Sequence, residues 1–389
     1  MSDFPTDYCS SPLNRKGRDL RRALQSFICF STLKFRISNQ RGVYRQLFDI
    51  YFHDYSLDTN AVFWHDSSMN IRDAHEKFAT DEQCLQYIEK MRWPDGIVRC
   101  PTCGDKNIEK YERPPQRVRK ARSETRKPNK TNRRAWFYIC LNKDCRQQFS
   151  PTSGTLFADS HLPLIVWFQA ITLMLNAKKG ISAMQLQRDL GIGGYKTAWY
   201  LNHRIREAMA EGAIPQLGGI VEIDETYVGG KQKGKGVYYG KKQKQPVIGL
   251  RERKGPLRFI HTKDVKAATL RAIIEKYVGP DVEFYMTDDS SAADAVLKET
   301  GKHGVIKHSI GSYVNGIIHT NTVESAFSLL KRGIVGNFHK VSIKHLQRYL
   351  NEFSYRFNRR ADDGAFIETV RRLAGFAPLP FSALTSEKL

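Results

Sequence analysis

Acid is what this chain is short of. Its 389 residues carry 62 Lys and Arg against 40 Asp and Glu, a formal net charge of +22. So basic a surface repels itself unless a polyanion lies against it, which puts nucleic acid ahead of acidic small molecules as a partner; a merely soluble basic protein is the alternative. Cysteine is scarce as well. Of seven, Cys9, Cys29 and Cys84 are scattered, while Cys100, Cys103, Cys140 and Cys145 fall into two close pairs. That distribution gives no disulfide framework, and paired thiols in a reducing compartment favour metal. Long apolar runs are also missing. In "RRALQSFICFSTLKF" the basic flank and apolar stretch are diluted by Gln25, Ser26, Ser31 and Thr32 and stopped by Lys34, so a helix or an extension is expected there, not a signal peptide or a membrane span. A cytoplasmic protein is expected.

What is present suffices for a sizeable core. Hydrophobic residues make up 41%, with 17 Tyr and 21 Phe, and the length suits two or three domains. Residues 1–68 show no clear period or motif and are an N-terminal extension of uncertain status, with Met69 a candidate authentic start. Residues 69–98 are expected to be helical: Thr80 is placed to cap, and Cys84, Leu85, Ile88 and Met91 follow at helical spacing.

The two cysteine pairs fall within 99–150, as C-x2-C-x36-C-x4-C flanked by aromatics and β-formers. Two such knuckles predict a zinc ribbon with Cys100, Cys103, Cys140 and Cys145 as zinc ligands; four unrelated buried thiols are the alternative. The long middle is Arg113–Arg134, rich in Arg, Lys and Pro, and is expected to be a mobile basic loop.

A buried helix, "LPLIVWFQAITLMLNAKKG", is expected to stop at Gly180. It opens a helical region, 158–212, whose second part has a helix-turn-helix layout. Ser182 caps a short helix through Met184, Leu186 and Leu190; Gly191–Gly194 make the turn; a second helix runs through Ala198, Leu201 and Ile205. That helix carries Lys196, Trp199, Asn202, His203, Arg204 and Arg206, side chains suited to a major groove and to phosphates, although such pairs also occur as plain packing units.

From Gly219 the period changes. "GIVEIDETYVGG" alternates, with Val221, Ile223 and Tyr227 on one face and Glu222, Asp224 and Thr226 on the other. Two more strands, a helix, the strand "DVEFYMTDDS", a helix, a short strand near "GVIKHSI" and a helix from Asn321 give the order βββαβαβα. This is the order of the RNase H-like fold, a mixed sheet flanked by helices, in which the first strand, the fourth strand and a late helix each bring a carboxylate to one point. Asp224, Asp288 and Glu324 occupy those places, with 35 residues between the last two. Three converging acids repel one another unless divalent cations neutralise them, and two Mg2+ (or Mn2+) ions there would serve phosphodiester chemistry. Lys331 shares the helix face of Glu324 seven residues on and could hold a phosphate.

Alternatives stand beside these readings. Asn321 and Glu324 have the spacing of a capping box that any helix could use. Glu225 falls on the apolar side of its strand and is expected to end it or bind the glycine turn. Periodicity does not separate Asp288 from Asp289. His319 and His339 could orient DNA or serve structural hydrogen bonds. In the following helix Leu346, Leu350, Phe353 and Phe357 form a core stripe, and Lys344, Arg348, Arg356, Arg359 and Arg360 are expected outward, solvated or on phosphates.

At "VEIDETYVGGK", the "TD" of Asp288, "HTNTVESAFSLLKRGIVGNFHKVS" and "HLQRYLNEFSYRFNRR", the sequence resembles the DDE-type transposases of bacterial insertion sequences, in the subgroup with a zinc ribbon ahead of the catalytic domain. The resemblance covers about residues 75–360. It implies a Mg2+-dependent, nucleoid-associated recombinase that binds terminal inverted repeats, nicks 3′ ends and joins them to target DNA, acting as a homodimer on DNA. Carried over, Asp224, Asp288 and Glu324 would be the catalytic, metal-binding acids, with Lys331 the basic residue beyond. The family pattern selects Asp288 over Asp289. Some members use an Asn with the Lys, which keeps Asn321 as an auxiliary candidate, and Lys331 and Arg332 join the expected DNA contacts. The domain would be 217–360 and 361–389 a C-terminal tail. The long insertion between cysteine pairs and residues 1–68 depart from the family pattern. The rival functions are a catalytically decayed DNA-binding regulator and a nuclease of the same fold that cuts without joining.

Overall fold

The structure, a computed structural model, describes residues 69–112, 135–210, 216–229, 244–306 and 319–386. The extension 1–68, the basic insertion 113–134 and the end of the strand expected near "GVIKHSI" lie outside the described residues.

Helices α1 (Ile71–Lys77) and α2 (Asp81–Arg92) each begin at a capping box. Asn70 and Thr80 accept N–H bonds from the first turn, and the Asp73 and Gln83 side chains reach back to the cap. Strands β1 (Ile108–Glu112), β2 (Trp136–Cys140) and β3 (Gln148–Phe149) form an antiparallel sheet in that order, with Trp93 edge-on to Tyr138 and Phe149. Helix α3 (Leu164–Asn176) buries Leu164, Trp167, Phe168, Ile171 and Met174. It ends before Gly180, which was expected to stop it. Gly180 has φ +87° and lies so close to Phe338 that a Cβ would stand 2.7 Å from Cζ, so the glycine serves a close approach.

Helices α4 (Ala183–Asp189) and α5 (Tyr195–Ala208) make the helix-turn-helix pair, with Ser182 accepting from Gln185 N–H and Gly191 at φ +62° in the turn. The second helix is not a free recognition helix. Asn202, His203, Arg204 and Arg206 are all buried. Arg206 Nε donates to Glu352 Oε2 at 2.6 Å, with both side chains essentially inaccessible, and Arg356 Nε lies 3.2 Å from Glu352 Oε1. Arg204 donates to the Ala158 carbonyl and lies over Trp167. Burial of a charge requires partners, and α5 obtains them by docking on α9 (Ile343–Asn358) and α3. Arg356, expected outward, is buried for the same reason. Helix α10 (Ala365–Gly375), within the 361–389 expected as a tail, contributes Phe366, Val370 and Leu373 to the core that also holds α2, α3, α5 and the ribbon. A short helix, α11 (Phe381–Thr385), follows and buries Leu384.

The second region is a five-stranded mixed sheet of RNase H-like order. Its elements are β4 (Leu217–Val228), β5 (Gln245–Glu252), β6 (Leu257–His261), α6 (Ala267–Tyr277), β7 (Val278–Asp288), α7 (Ser291–Leu297), β8 (His303–Ile306) and α8 (Asn321–Gly333). The strand order is β6-β5-β4-β7-β8, antiparallel across β6, β5 and β4 and parallel across β4, β7 and β8. Val221, Ile223, Ile248 and Leu250 face α6 and α7 through Leu270, Ile273 and Val296. Val247 and Phe259 pack instead with Val323, Phe327 and Leu330 of α8 and with Leu346, Leu350 and Phe353 of α9. Helix α9 thereby serves both regions: its Leu346 stripe covers the sheet, and Glu352 and Arg356 receive α5.

Candidate active site and metal centres

Sheet register makes the first part of the acid site. Strands β4 and β7 run parallel with Ile223 beside Thr287, so Asp224, within β4, and Asp288, the last residue of β7, are the next residues in line. Asp224, Glu225 and Asp288 each offer a carboxylate oxygen such that all lie within 4.8 Å of one another. Asp289 is exposed and outside this group. Glu225 corrects the sequence expectation. Pairing with β7 ends at Ile223, so the strand edge beyond is open and a side chain as long as glutamate can turn round it. Its backbone N–H also donates to Asp224 Oδ1 at 2.7 Å.

The electrostatics follow from this crowding. Burial, then the charges of Asp288, Glu225 and Glu324, push the Asp224 carboxyl up to about 7, against the lowering effect of the Glu225 N–H. Glu225 is raised too, by burial and by Asp288.

Glu324 stands in the first turn of α8, exposed, outside the tight group yet near enough to act on Asp224. Thr320 Oγ1 donates to its Oε1 at 2.8 Å. The capping box between Asn321 and Glu324 does not form: the helix starts one residue earlier than such a box requires, Thr320 holds the cap position, and Asn321 is an exposed first helical residue. Gly249 lies directly across from Asp224 on β5. A Cβ there would stand 2.6 Å from Phe327 Cζ and 2.8 Å from Val323 Cγ2, so the bare backbone lets α8 lie close to the sheet beside Asp224.

Two cavities share Tyr227 of β4, three residues beyond Asp224. One, of about 670 Å3, is lined by Tyr227, Lys244, Lys263 and Lys266; the other, of about 690 Å3, by Tyr227, Gln245, Lys331, His339 and Lys340. Lys331 and Arg332 are exposed. His339 Nδ1 lies 3.0 Å from the Val335 carbonyl, and His319 Nδ1 lies 3.3 Å from Glu222 Oε1. Of the helix-turn-helix residues, Lys196 remains exposed beside a smaller cavity, Trp199 is half-buried against His203 and His345, and Asn202, Arg204 and Arg206 are in the core.

Metal fit can be tested on distance. Mg2+ holds oxygens at about 2.1 Å, so opposite ligands are about 4.2 Å apart, and oxygens already within 4.8 Å need only a small closure. Raised carboxyls add a reason, since a cation offsets both the burial and the mutual repulsion that raise them. In the ribbon, Cys100 Sγ to Cys145 Sγ and Cys103 Sγ to Cys140 Sγ are both 3.6 Å. Tetrahedral zinc with bonds of about 2.3 Å separates sulfurs by about 3.8 Å. Burial pushes the Cys140 thiol up to about 12, whereas hydrogen bonds from the Cys103 and Thr102 backbone outweigh burial and bring Cys100 down to about 7, so the cluster suits a cation that would stabilise its thiolates.

Three residues escaped the sequence reading. Glu222 is wholly buried beneath α8, Glu225 joins the acid group, and Gly249 sets the helix height. A charge within an apolar strand and a glycine inside another were the available signals.

Two stretches of the chain match known transposase domains. Residues 216–358 match the ISXO2-like transposase domain and residues 79–121 the transposase zinc-ribbon domain. A relative from Halobacterium salinarum, described as an uncharacterized protein in transposable element ISH50, is 27% identical over 297 residues, covering 72% of this chain and 91% of its own. A solved Drosophila P element transposase strand transfer complex is a distant likeness, with TM-score 0.22 and 13% identity over 56% of this chain and 61% of that one. With two transposase domains matched in order along its length and a relative from a transposable element, the chain is similar to the insertion-sequence transposases in which a zinc ribbon precedes an ISXO2-like domain.

Proposed function

We propose that this transposase cleaves the 3′ ends of an insertion-sequence element and joins them to target DNA at a centre formed by Asp224, Asp288 and Glu324, with Glu225 as a fourth acid. The observation that carries this reading is the meeting of carboxylates from β4 and β7 within 4.8 Å, with Glu324 of α8 in electrostatic range. Asp224 and Asp288 would hold divalent metal, Mg2+ or Mn2+ and two ions in the full site. Bound there, the metal would neutralise the acids and supply Lewis-acid activation for in-line displacement at phosphorus. The chain's own part is to bind and orient. Lys331 and Arg332 beyond Glu324 contact phosphates, and Lys196, with Trp199 beside it, contacts the terminal inverted repeats; Asn321 stays an auxiliary polar group at the helix start. Cys100, Cys103, Cys140 and Cys145 hold one structural zinc. The protein works as a homodimer on DNA, in association with the nucleoid, since two element ends must be held together. The domains proposed are a helical segment 69–98, a ribbon 99–150, a helical region 158–212 and the catalytic domain 217–360, with 361–386 assigned to the helical body.

The test is cleavage of terminal-repeat DNA in Mg2+ or Mn2+. Nicked 3′ ends and strand-transfer products are expected from the native protein, with near-total loss in Asp224→Asn and Glu324→Gln and no loss of fold by circular dichroism. Binding without any nicking would leave a DNA-binding regulator. Nicking without joining would leave a nuclease.

A further inference from the structure

Glu222 carries a second role for the strand that bears Asp224. Its side chain is 0% exposed, two residues before Asp224, and its oxygens are surrounded by donors. Oε2 accepts Thr322 N–H at 3.0 Å, Thr322 Oγ1 at 2.7 Å and Val323 N–H at 3.1 Å. Oε1 accepts Arg253 Nε at 2.8 Å, and Arg253 Nη2 in turn donates to the His319 carbonyl at 2.8 Å. Thr322 and Val323 are the second and third residues of α8, the N–H groups that a helix's own cap side chain would normally satisfy. Here the cap residue, Thr320, makes no such bond; its hydroxyl is directed to Glu324 Oε1. A carboxylate from the neighbouring strand does the capping, and this releases the cap hydroxyl to hold the catalytic acid.

We propose that Glu222 is a positioning residue: by capping α8 from β4, it fixes the start of that helix relative to Asp224 and, through Thr320, sets where the Glu324 carboxylate stands. This rests on the acid centre proposed above. Outer partners of metal ligands commonly change metal affinity about 10- to 100-fold when removed. Glu222→Gln replaces one acceptor oxygen with an amide N–H2, which only donates, so either the helix donors on Oε2 or Arg253 on Oε1 lose their acceptor.

The test uses the full chain and Mn2+ alone, read by electron paramagnetic resonance titration, together with hydrogen-exchange mass spectrometry of peptides covering residues 319–327. In Glu222→Gln the first turn of α8 is expected to exchange about 10-fold faster and Mn2+ to bind about 10-fold more weakly. DNA cleavage should fall in kcat with KM for DNA unchanged, and excess Mn2+ should restore part of it, as it does not in Glu324→Gln. Thr320→Val, which leaves the Glu222 bonds alone, is expected to weaken Mn2+ without changing exchange, and it decides the matter together with Thr322→Val if Glu222→Gln does not fold. Unchanged Mn2+ affinity and unchanged exchange in the folded variants would overturn the proposal. If the native protein binds Mn2+ no better than Asp224→Asn, the acid centre itself fails, while the exchange arm still reports whether Glu222 caps the helix.

Discussion

The four thiols and the four carboxylates are both clusters of like groups, built in opposite ways. Cys140 closes β2 and Cys100, Cys103 and Cys145 lie outside the strands, and their sulfurs stand at 3.6 Å in pairs, close to what one tetrahedral ion needs. Asp224, Glu225, Asp288 and Glu324 come from two parallel strands and a helix. Three of them meet, and the fourth stays exposed and outside that group. The ribbon is arranged to close round a metal as part of its fold. The proposed acid centre would have to remain open on one side, since a centre that admits a phosphate keeps a position free for it.

Changes that strike the closed centre should have the largest effect. Cys100→Ser is expected to release zinc, read as one equivalent by elemental analysis, and to unfold the ribbon, because metal binding in so small a module supplies on the order of 10 kcal/mol of its folding. The acid centre should keep its Mn2+ affinity in that variant. Glu352→Ala leaves Arg206 and Arg356 buried without their shared carboxylate and should cost about 3–5 kcal/mol in denaturant melts, undocking α5 from α9. Gly249→Ala should cost about 1–3 kcal/mol as α8 moves off the sheet, with a larger fractional loss of cleavage than of stability, because the helix that moves carries Glu324.

The smallest effect is one of pH, and it separates the two centres. The Asp224 carboxyl is raised to about 7 from an ordinary value near 4. The folded metal-free protein therefore holds a proton that the unfolded chain releases, and its stability from this group is full below about pH 4 and is lost as pH rises through about 7. The melting temperature of metal-free native protein should fall between pH 5 and 8 by more than that of Asp224→Asn. Added Mg2+ should raise it more at pH 8 than at pH 6.

Much of this organisation is legible along the chain. Capping at Thr80 and Ser182, the C-x2-C and C-x4-C knuckles and the βββαβαβα order follow from local chemistry and period, and local chemistry is what sequence carries directly. Pairing decisions between distant segments are less so. Arg206, Arg356 and Asn202 read as solvated or DNA-facing because a charged or amide side chain is usually exposed; only the docking of α5 on α9 buries them. Strand alternation puts Glu225 on the apolar side, and alternation holds inside a paired sheet but fails where β4 outruns β7. Glu222 lies on the same strand face as Asp224, and its purpose is visible only once α8 is set against it, 100 residues later in the chain.

Anomalous scattering from a Mn2+-soaked crystal tests the acid centre most directly. Density between the carboxylates of Asp224 and Asp288, with Glu324 or Glu225 completing the oxygens round it and absent in Asp224→Asn, is the expected result. A map in which manganese avoids those two side chains, or in which a lysine or arginine fills the space between them, would contradict it.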